Sequence, residues 1–330
     1  MDDGSEDGTS QVAQRIANET LDSARLTVLR THSLPPLWVG KVWALSRGVS
    51  AVGPDSTFVL FTDADIVHPD GTVQALVTKA LCEGLDLVSL MAHLRARSPL
   101  ERLLIPAFVY FFGMLYPFRW TNDHQQRTAA AAGGCILMRW DALVRAGGVE
   151  SIAAAIIDAC ALARRIKGCS REGGGRLWLG LSRQVHSVRN YSGLQGVWDM
   201  VARSACAQLG YSPWLLLGAV LGMLLVFVTP PSAVISGLLA TTVAGESVPG
   251  VWLVATGVSA WTIMALTYRP MGAWYARSWL HARTLPAAAA LYTIMTINSA
   301  WRRSGAVWKG RTYEGPARDA RTGPTATDKP

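Results

Sequence analysis

The chain has 330 residues, with 31 Lys or Arg against 23 Asp or Glu, a formal charge of +8 at pH 7. Half of it is hydrophobic and 13 residues are tryptophan, which is enough apolar material for one α/β core and for membrane helices besides. The positive charge would suit nucleic acid, but the basic residues gather near apolar segments and in the C-terminal third, which fits an anionic membrane leaflet better, so no nucleic-acid partner is expected. The five cysteines, Cys82, Cys135, Cys160, Cys169 and Cys206, are odd in number and contain no Cys-x-x-Cys pair. Neither a disulfide framework nor a zinc site is indicated, and a reducing cytosol suits the soluble part.

The chain opens on Asp2-Asp3-Gly4-Ser5-Glu6-Asp7-Gly8-Thr9, a turn dense in acids and glycines, followed by the helix-like stretch from Ser10 to Ala17. Gly40-Lys41-Val42-Trp43-Ala44-Leu45 leads into a second helix. The apolar run Phe58-Val59-Leu60-Phe61-Thr62 reads as a strand that ends abruptly in Asp63-Ala64-Asp65. Two acids one residue apart share a strand face, and at its C-terminal end they can bend together toward a cation. Hard oxygen donors suit Mg²⁺ or Mn²⁺, and a diphosphate leaving group needs such an ion. The same Asp-x-Asp pattern also serves as ordinary turn chemistry. The alternation of helix and strand predicts an open α/β sheet whose ligands sit beyond the carboxyl ends of its strands.

In this order, the opening acidic turn, Gly40-Lys41-x-x-Ala44-Leu45 and Asp63-Ala64-Asp65 resemble the signature of family 2 glycosyltransferases, which have the GT-A fold. Ile105 to Phe112, Leu115-Tyr116-Pro117-Phe118, Thr128 to Cys135, Cys160-Ala161-Leu162-Ala163 and Tyr211-Ser212-Pro213 look like the hopene-associated glycosyltransferases of bacterial hopanoid gene clusters. The likeness runs nearly to Tyr313. It implies a GT-A-like mixed sheet with flanking helices, a nucleotide-sugar donor, a UDP-sugar first among them, and a hopanoid or polyisoprenoid lipid acceptor. Hopanoid-pathway proteins are implied as partners.

The resemblance also assigns residues. Asp3 would contact the nucleotide base, Asp65 would hold the metal, and Asp63 would position the ribose or share the metal. Lys41 reads either as a phosphate contact or as a helix-end residue. Gly133 and Gly134 read as a loop beside the sugar or as a tight turn into the strand-like Ile136-Leu137-Met138. Inverting relatives use a carboxylate from an adjacent acidic pair at a helix start as the base. Here Asp158 is followed by Ala159, so Asp158 is either the substitute base or a plain helix N-terminal acid.

Two departures from the family pattern are expected to matter. Met1 directly precedes Asp2-Asp3, where relatives place an apolar anchor and a first strand, so the expectation is an N-terminally truncated domain lacking that strand. Gln195-Gly196-Val197-Trp198 lacks the arginine of the Gln-x-x-Arg-Trp motif of processive relatives, which removes support for polymer synthesis. His93, His124 and His186 are scattered and need no metal role.

Membrane segments are expected late. Pro213 to Val228, ending at Pro230-Pro231, and Val251 to Leu266 are long and apolar. Ala233 to Ala244 and Leu285 to Ala300 are shorter, half-membrane or interfacial pieces. Leu103 to Phe118 is read as core packing or as an interfacial element that admits a lipid. Arg269, Arg277 and Arg283, and Arg302, Arg303, Lys309 and Arg311, flank these segments and suggest cytoplasmic ends.

The resulting expectation is a GT-A-like domain over 1–190, a membrane-associated domain over 191–310 and a disordered tail over 311–330. It would be a multi-pass protein of the bacterial inner membrane with its catalytic domain in the cytoplasm. A catalytically degenerate scaffold that binds lipid is the alternative. A transporter is disfavoured, since the apolar segments carry no charges and no paired internal repeat.

Overall fold

The computed structural model describes residues 1–20, 26–31, 33–53, 55–169, 175–191, 193–243, 247–301, 306–308 and 311–313. The polar tail from Glu314 to Pro330 lies outside the described residues, as do Arg302, Arg303 and Lys309. The chain divides into two units, Met1–Arg97 with Phe108–Asn190, and Ser98–Ala107 with Tyr191–Pro330.

The first unit follows the expected alternation. Helices α1 (Thr9–Thr20) and α2 (Gly40–Val49) precede strands β1 (Phe58–Thr62) and β2 (Ile66–Val67), then helix α3 (Thr72–Cys82) and strand β3 (Leu87–His93). Helix α4 (Pro99–Leu115) and the short α5 (Phe118–Asn122) lead to strand β4 (Cys135–Arg139) and helices α6 (Trp140–Arg145) and α7 (Asp158–Gly168), and strand β5 (Leu177–Ser187) completes the sheet.

The five strands lie in the order β1-β4-β3-β5-β2. β4 runs antiparallel to both β1 and β3, β3 runs parallel to β5, and β2 is an antiparallel edge. The sheet is therefore mixed, as expected, and β1, β3 and β5 point the same way. Their carboxyl ends share one edge with the amino end of β4. The register Thr62↔Cys135 places Asp63 opposite Gly134 on that edge.

Side-chain alternation gives the sheet two buried faces. Ile136, Met138, Leu87 and Leu177 pack with Val42 of α2, Leu143 of α6 and Leu162 and Ile166 of α7. Cys135, Leu137, Val88 and Val185 pack with Leu76 and Ala80 of α3 on the other face. Each fully buried Leu, Ile or Val in these layers contributes about 1.5–3 kcal/mol, so the cores hold α7 and the glycine turn against the sheet.

The second unit is helical, with α8 (Gly193–Gln208), α9 (Pro213–Met223), α10 (Thr229–Thr242), α11 (Ser247–Trp274) and α12 (Leu285–Trp301). α12 is an internal helix with Leu285, Ala288, Ala289 and Met295 buried, and Tyr292 donates its hydroxyl to the Leu104 carbonyl at 2.9 Å. Leu104, Ile105 and Ala107, the part of α4 that belongs to this unit, are fully buried, whereas Phe108, Tyr110, Phe111 and Phe112 are half-buried and Met114 and Leu115 are exposed. Trp198 of the degenerate Gln-x-x-x motif donates to Asn298 at 3.0 Å.

Pro230-Pro231 was expected to end the first apolar run, and it does not. Pro213–Thr242 is one helical run of 30 residues with mean hydropathy 2.0, so Ala233 onward belongs to it rather than forming a separate piece. A π-helical turn at Leu224–Val228 widens the backbone just before the prolines, which then occupy the first turn of α10, where no intrahelical N–H is needed. Thr229 Oγ1 donates to the Leu224 carbonyl at 3.2 Å, which also accepts from the Thr229 amide. Val248–Trp274 is the second such helix, 27 residues at mean hydropathy 1.5; both are long and apolar enough to cross a membrane.

These two helices run antiparallel and touch backbone to backbone through glycine. A Cβ on Gly257 would meet the Pro230 carbonyl at 2.8 Å, and one on Gly237 the Gly250 carbonyl at 2.6 Å, the close approach that small residues permit between apolar helices. Gly257→Ala is therefore expected to destabilise the protein by about 1–3 kcal/mol. Gly218→Ala, which meets nothing within 4 Å, should not; thermal unfolding of both variants checks this.

Candidate functional site

The sheet edge gathers four of the residues singled out by sequence. Asp63 follows directly on β1, Lys41 sits in the first turn of α2, Asp158 is the first residue of α7, and Gly133 precedes β4. Lys41 Nζ lies 2.8 Å from Asp63 Oδ1 and 3.2 Å from Asp158 Oδ2, bridging the two acids. A Cβ on Gly133 would stand 3.3 Å from that ammonium and 3.7 Å from Asp63 Oδ2, so the glycine lets backbone lie close to the ion pair without crowding the lysine. Burial works against the Lys41 ammonium, but Asp158 and then Asp63 outweigh it, and its pKa lies above the ordinary lysine value.

The cavity around this cluster holds only about 20 Å³ and is lined by Lys41, Phe61, Asp63, Gly133, Asp158 and Ala159 among others. That is room for little more than one water, so the ion pairs close the site on themselves. Ala159, the residue after Asp158, is buried and lies 3.9 Å from a Gly133 Cβ position. It brings no charge to the cluster.

Asp65 faces other partners. Its Oδ2 accepts a hydrogen bond from Ser187 at the end of β5, and its carbonyl accepts from Val188 N at 2.8 Å. Asp63 and Asp65 thus engage separate groups, a lysine and a serine, instead of converging on one point. Among the described residues no three His, Cys, Asp or Glu side chains form a metal-holding group. The donor set does not fit an ion chelated by both acids. Asp65 alone would have to hold such an ion, with phosphate and water oxygens completing its shell, as magnesium can take one or two carboxylates plus substrate phosphates.

Gly134 lets the β1–β2 turn lie against β4, since a Cβ there would come within 3.0 Å of Ile66 Cδ1. Thr62 Oγ1 donates to the Gly134 carbonyl at 3.0 Å. Two residues that sequence reasoning passed over fix this segment. The fully buried Ser89 accepts from Ala132 N at 2.9 Å and donates to the Cys135 carbonyl at 3.0 Å. Lys167, buried on α7, donates to the carbonyls of Trp120, Thr121 and Thr128 at 3.3, 2.9 and 2.6 Å. A lone serine in a strand and one lysine in a basic helix carry no pattern by which sequence could mark them.

The opening turn is a separate construction. Asp2 pairs with Arg30 as an isolated parallel bridge, and its buried carboxylate accepts from Ser10 Oγ and from Ser5 N at 2.9 Å. Asp3 Oδ1 accepts from Thr31 Oγ1 at 2.8 Å. Asp7 accepts from Thr9 N at 3.1 Å, a turn-forming contact.

Residues 1–144 match the family model "Glycosyl transferase family 2". The match contains Asp3, Lys41, Asp63, Asp65, Gly133 and Gly134, and it stops short of Asp158. No curated protein matches the chain.

The Ser10 hydroxyl, then Ser5, and also Arg30, against the opposing effect of burial, pull the Asp2 pKa from 3.8 to about 2. A depressed carboxylate stabilises the fold fully above its unfolded pKa and loses that contribution as pH falls through the folded one. Stability is therefore expected to drop between about pH 4 and pH 2, and Asp2→Asn should flatten this drop in a pH series of unfolding curves. The mixed sheet and the family match over its amino-terminal part support a glycosyltransferase.

Proposed function

We propose that the protein transfers a sugar from a nucleoside diphosphate donor, a UDP-sugar in the first instance, to a lipid acceptor at a membrane. The observation that carries this reading is the Lys41 ammonium held between Asp63 and Asp158 at the strand edge. A cation there would neutralise the charge that a departing diphosphate develops.

On this reading the donor lies over the edge where β1, β3 and β5 end, with its base toward Asp3. Lys41 exchanges one carboxylate for a phosphate oxygen, which opens the closed cavity and releases Asp158. Asp158, at the start of an α-helix whose dipole favours an anion, then accepts the proton of the acceptor hydroxyl as that oxygen attacks the anomeric carbon. Asp63 keeps Lys41 and the ribose in place, and Gly133 lets the backbone stay close to the sugar. A divalent ion at Asp65 would supply further neutralisation of the leaving diphosphate.

The membrane reading is supported by the two long apolar helices, which stay largely exposed within the fold. It is supported also by exposed tryptophans near their starts, Trp214 at 79% and Trp252 at 68%, residues that favour the membrane interface. A multi-pass protein of the bacterial inner membrane, with its catalytic unit cytoplasmic, follows from this reading. The hopanoid or polyisoprenoid class of acceptor, and hopanoid-pathway partners, rest on the sequence resemblance. Ala159, in place of a second acid, favours the competing reading of a scaffold that binds lipid without transfer.

Membranes containing the protein, given labelled UDP-sugars and Mn²⁺, are expected to yield labelled lipid on extraction; neither labelled lipid nor donor binding would leave the scaffold reading. Asp158→Asn should lower kcat by about 10²–10⁴-fold with donor affinity retained, measured by steady-state kinetics beside equilibrium donor binding. Lys41→Met and Asp65→Ala should instead weaken donor binding itself by about tenfold or more, the scale of one lost charge-assisted contact.

A further inference from the structure

Next to the ion-pair cluster, and sharing Ile152 with it, lies an open groove of about 540 Å³. Its size is that of a small-molecule site. One wall is the short 3₁₀ turn at Val149–Ile152 with Ala153, Ala154 and Ala155; the other is α7, which contributes Ala161, Arg164 and Arg165. The alanine side chains offer no hydrogen-bonding group, and the two guanidiniums offer donors only.

The charges in this groove do not cancel internally. Glu150 is its one acid, and its Oε1 is taken by the Ser46 hydroxyl at 2.6 Å. Among the described residues Glu150 forms no ion pair with either arginine, and neither Arg164 nor Arg165 has a carboxylate within salt-bridge distance. Arg165 donates to the Ser151 carbonyl at 3.3 Å, which steadies it across the groove. The surplus is positive, beside an apolar wall, and the complement of that surface is an anion on an apolar body.

Position relates the groove to the chemistry. Arg164 and Arg165 follow Asp158 on α7 by six and seven residues, about 9–10 Å along the axis at 1.5 Å per residue. Helical side chains lean toward the amino end, which brings the guanidiniums closer to Asp158. Asp158 and the two arginines thus lie within about 9–10.5 Å of one another along one helix, a length on the order of a small headgroup.

We infer that this groove binds the headgroup of an anionic lipid acceptor, with Arg164 and Arg165 on its phosphate and its hydroxyl directed toward Asp158. The inference rests on the transfer reading above and replaces the hopanoid or polyisoprenoid acceptor implied by resemblance with a phosphate-bearing amphiphile. Val39 N donates to the Ala153 carbonyl at 2.8 Å, so the segment before α2, with Leu37 89% exposed, is tied to the alanine wall.

The test uses the full chain in nonionic detergent, titrated calorimetrically with dihexanoyl phosphatidylglycerol. Dihexanoyl phosphatidylcholine is the zwitterionic control and glycerol phosphate the soluble phosphate. Phosphatidylglycerol is expected to bind at least about tenfold tighter than either control, and Arg164→Ala with Arg165→Ala to lose about tenfold or more. Ala154→Glu, which leaves both arginines in place and puts a negative charge on the wall, should weaken binding likewise; it serves if the double variant misfolds.

Equal binding of the two lipids, or an unchanged affinity in the variants, overturns the inference. Glycerol phosphate binding as tightly as the lipid overturns the lipid assignment in favour of a soluble phosphate. UDP-sugar binding, measured on the same samples, reports on the transfer reading separately. Its absence beside arginine-dependent lipid binding would sink the enzyme and keep the groove, whereas donor binding with an indifferent groove would do the reverse.

Discussion

The ammonium of Lys41, held at 2.8 Å from Asp63 and 3.2 Å from Asp158, is the contact on which the rest of the site depends. Two acids brought to one sheet edge without a cation would repel, at a cost that grows as water is excluded. One lysine answers both, and in doing so links three elements remote in sequence: the end of β1, the start of α2 and the start of α7. The glycine at 133 is the counterpart of that link, because a Cβ there would crowd the ammonium at 3.3 Å.

The sheet makes the meeting possible. With β1, β3 and β5 parallel and β4 reversed, the edge receives three strand ends and one strand start, and each can deliver a functional residue to the same rim. Packing on both faces then fixes the helices: α7 against Ile136 and Met138, α3 against Cys135 and Leu137. Ser89 and Lys167 hold the alanine-rich segment that leads to the glycines, each by satisfying backbone groups that burial would otherwise leave unpaired. In the second unit glycine again replaces side-chain contact, letting two apolar helices approach at Gly237, Gly250 and Gly257.

Much of this was legible in the residues. The Phe58–Thr62 strand and the helix starting at Gly40 follow from short-range pattern, since four apolar residues and a threonine bounded by acids read as a buried strand. The mixed sheet was implied by the resemblance and was found. The proline pair at 230 misled the reading of the helical run, because a proline is a stop signal only when the turn before it is an ordinary one. The π-turn at Leu224–Val228 leaves no mark in composition. Arg164 and Arg165 stood in the segment read for Asp158, but their lack of acidic partners is a property of distance, invisible along the chain.

The sequence by itself determined the element types, the order of the acidic and glycine motifs and the two long apolar segments, because propensity, periodicity and hydropathy are summed over neighbouring residues. Only the tertiary structure decided how the charges are paired. Asp63 and Asp65, one residue apart and read as joint metal ligands, part company: the turn after β1 sends one carboxylate to a lysine of α2 and the other to a serine at the end of β5. The reason is that an ion pair depends on separation in space, and the separations of 22, 95 and 122 positions between Lys41 and Asp63, Asp63 and Asp158, and Asp65 and Ser187 are closed by sheet register and core packing, not by any local rule.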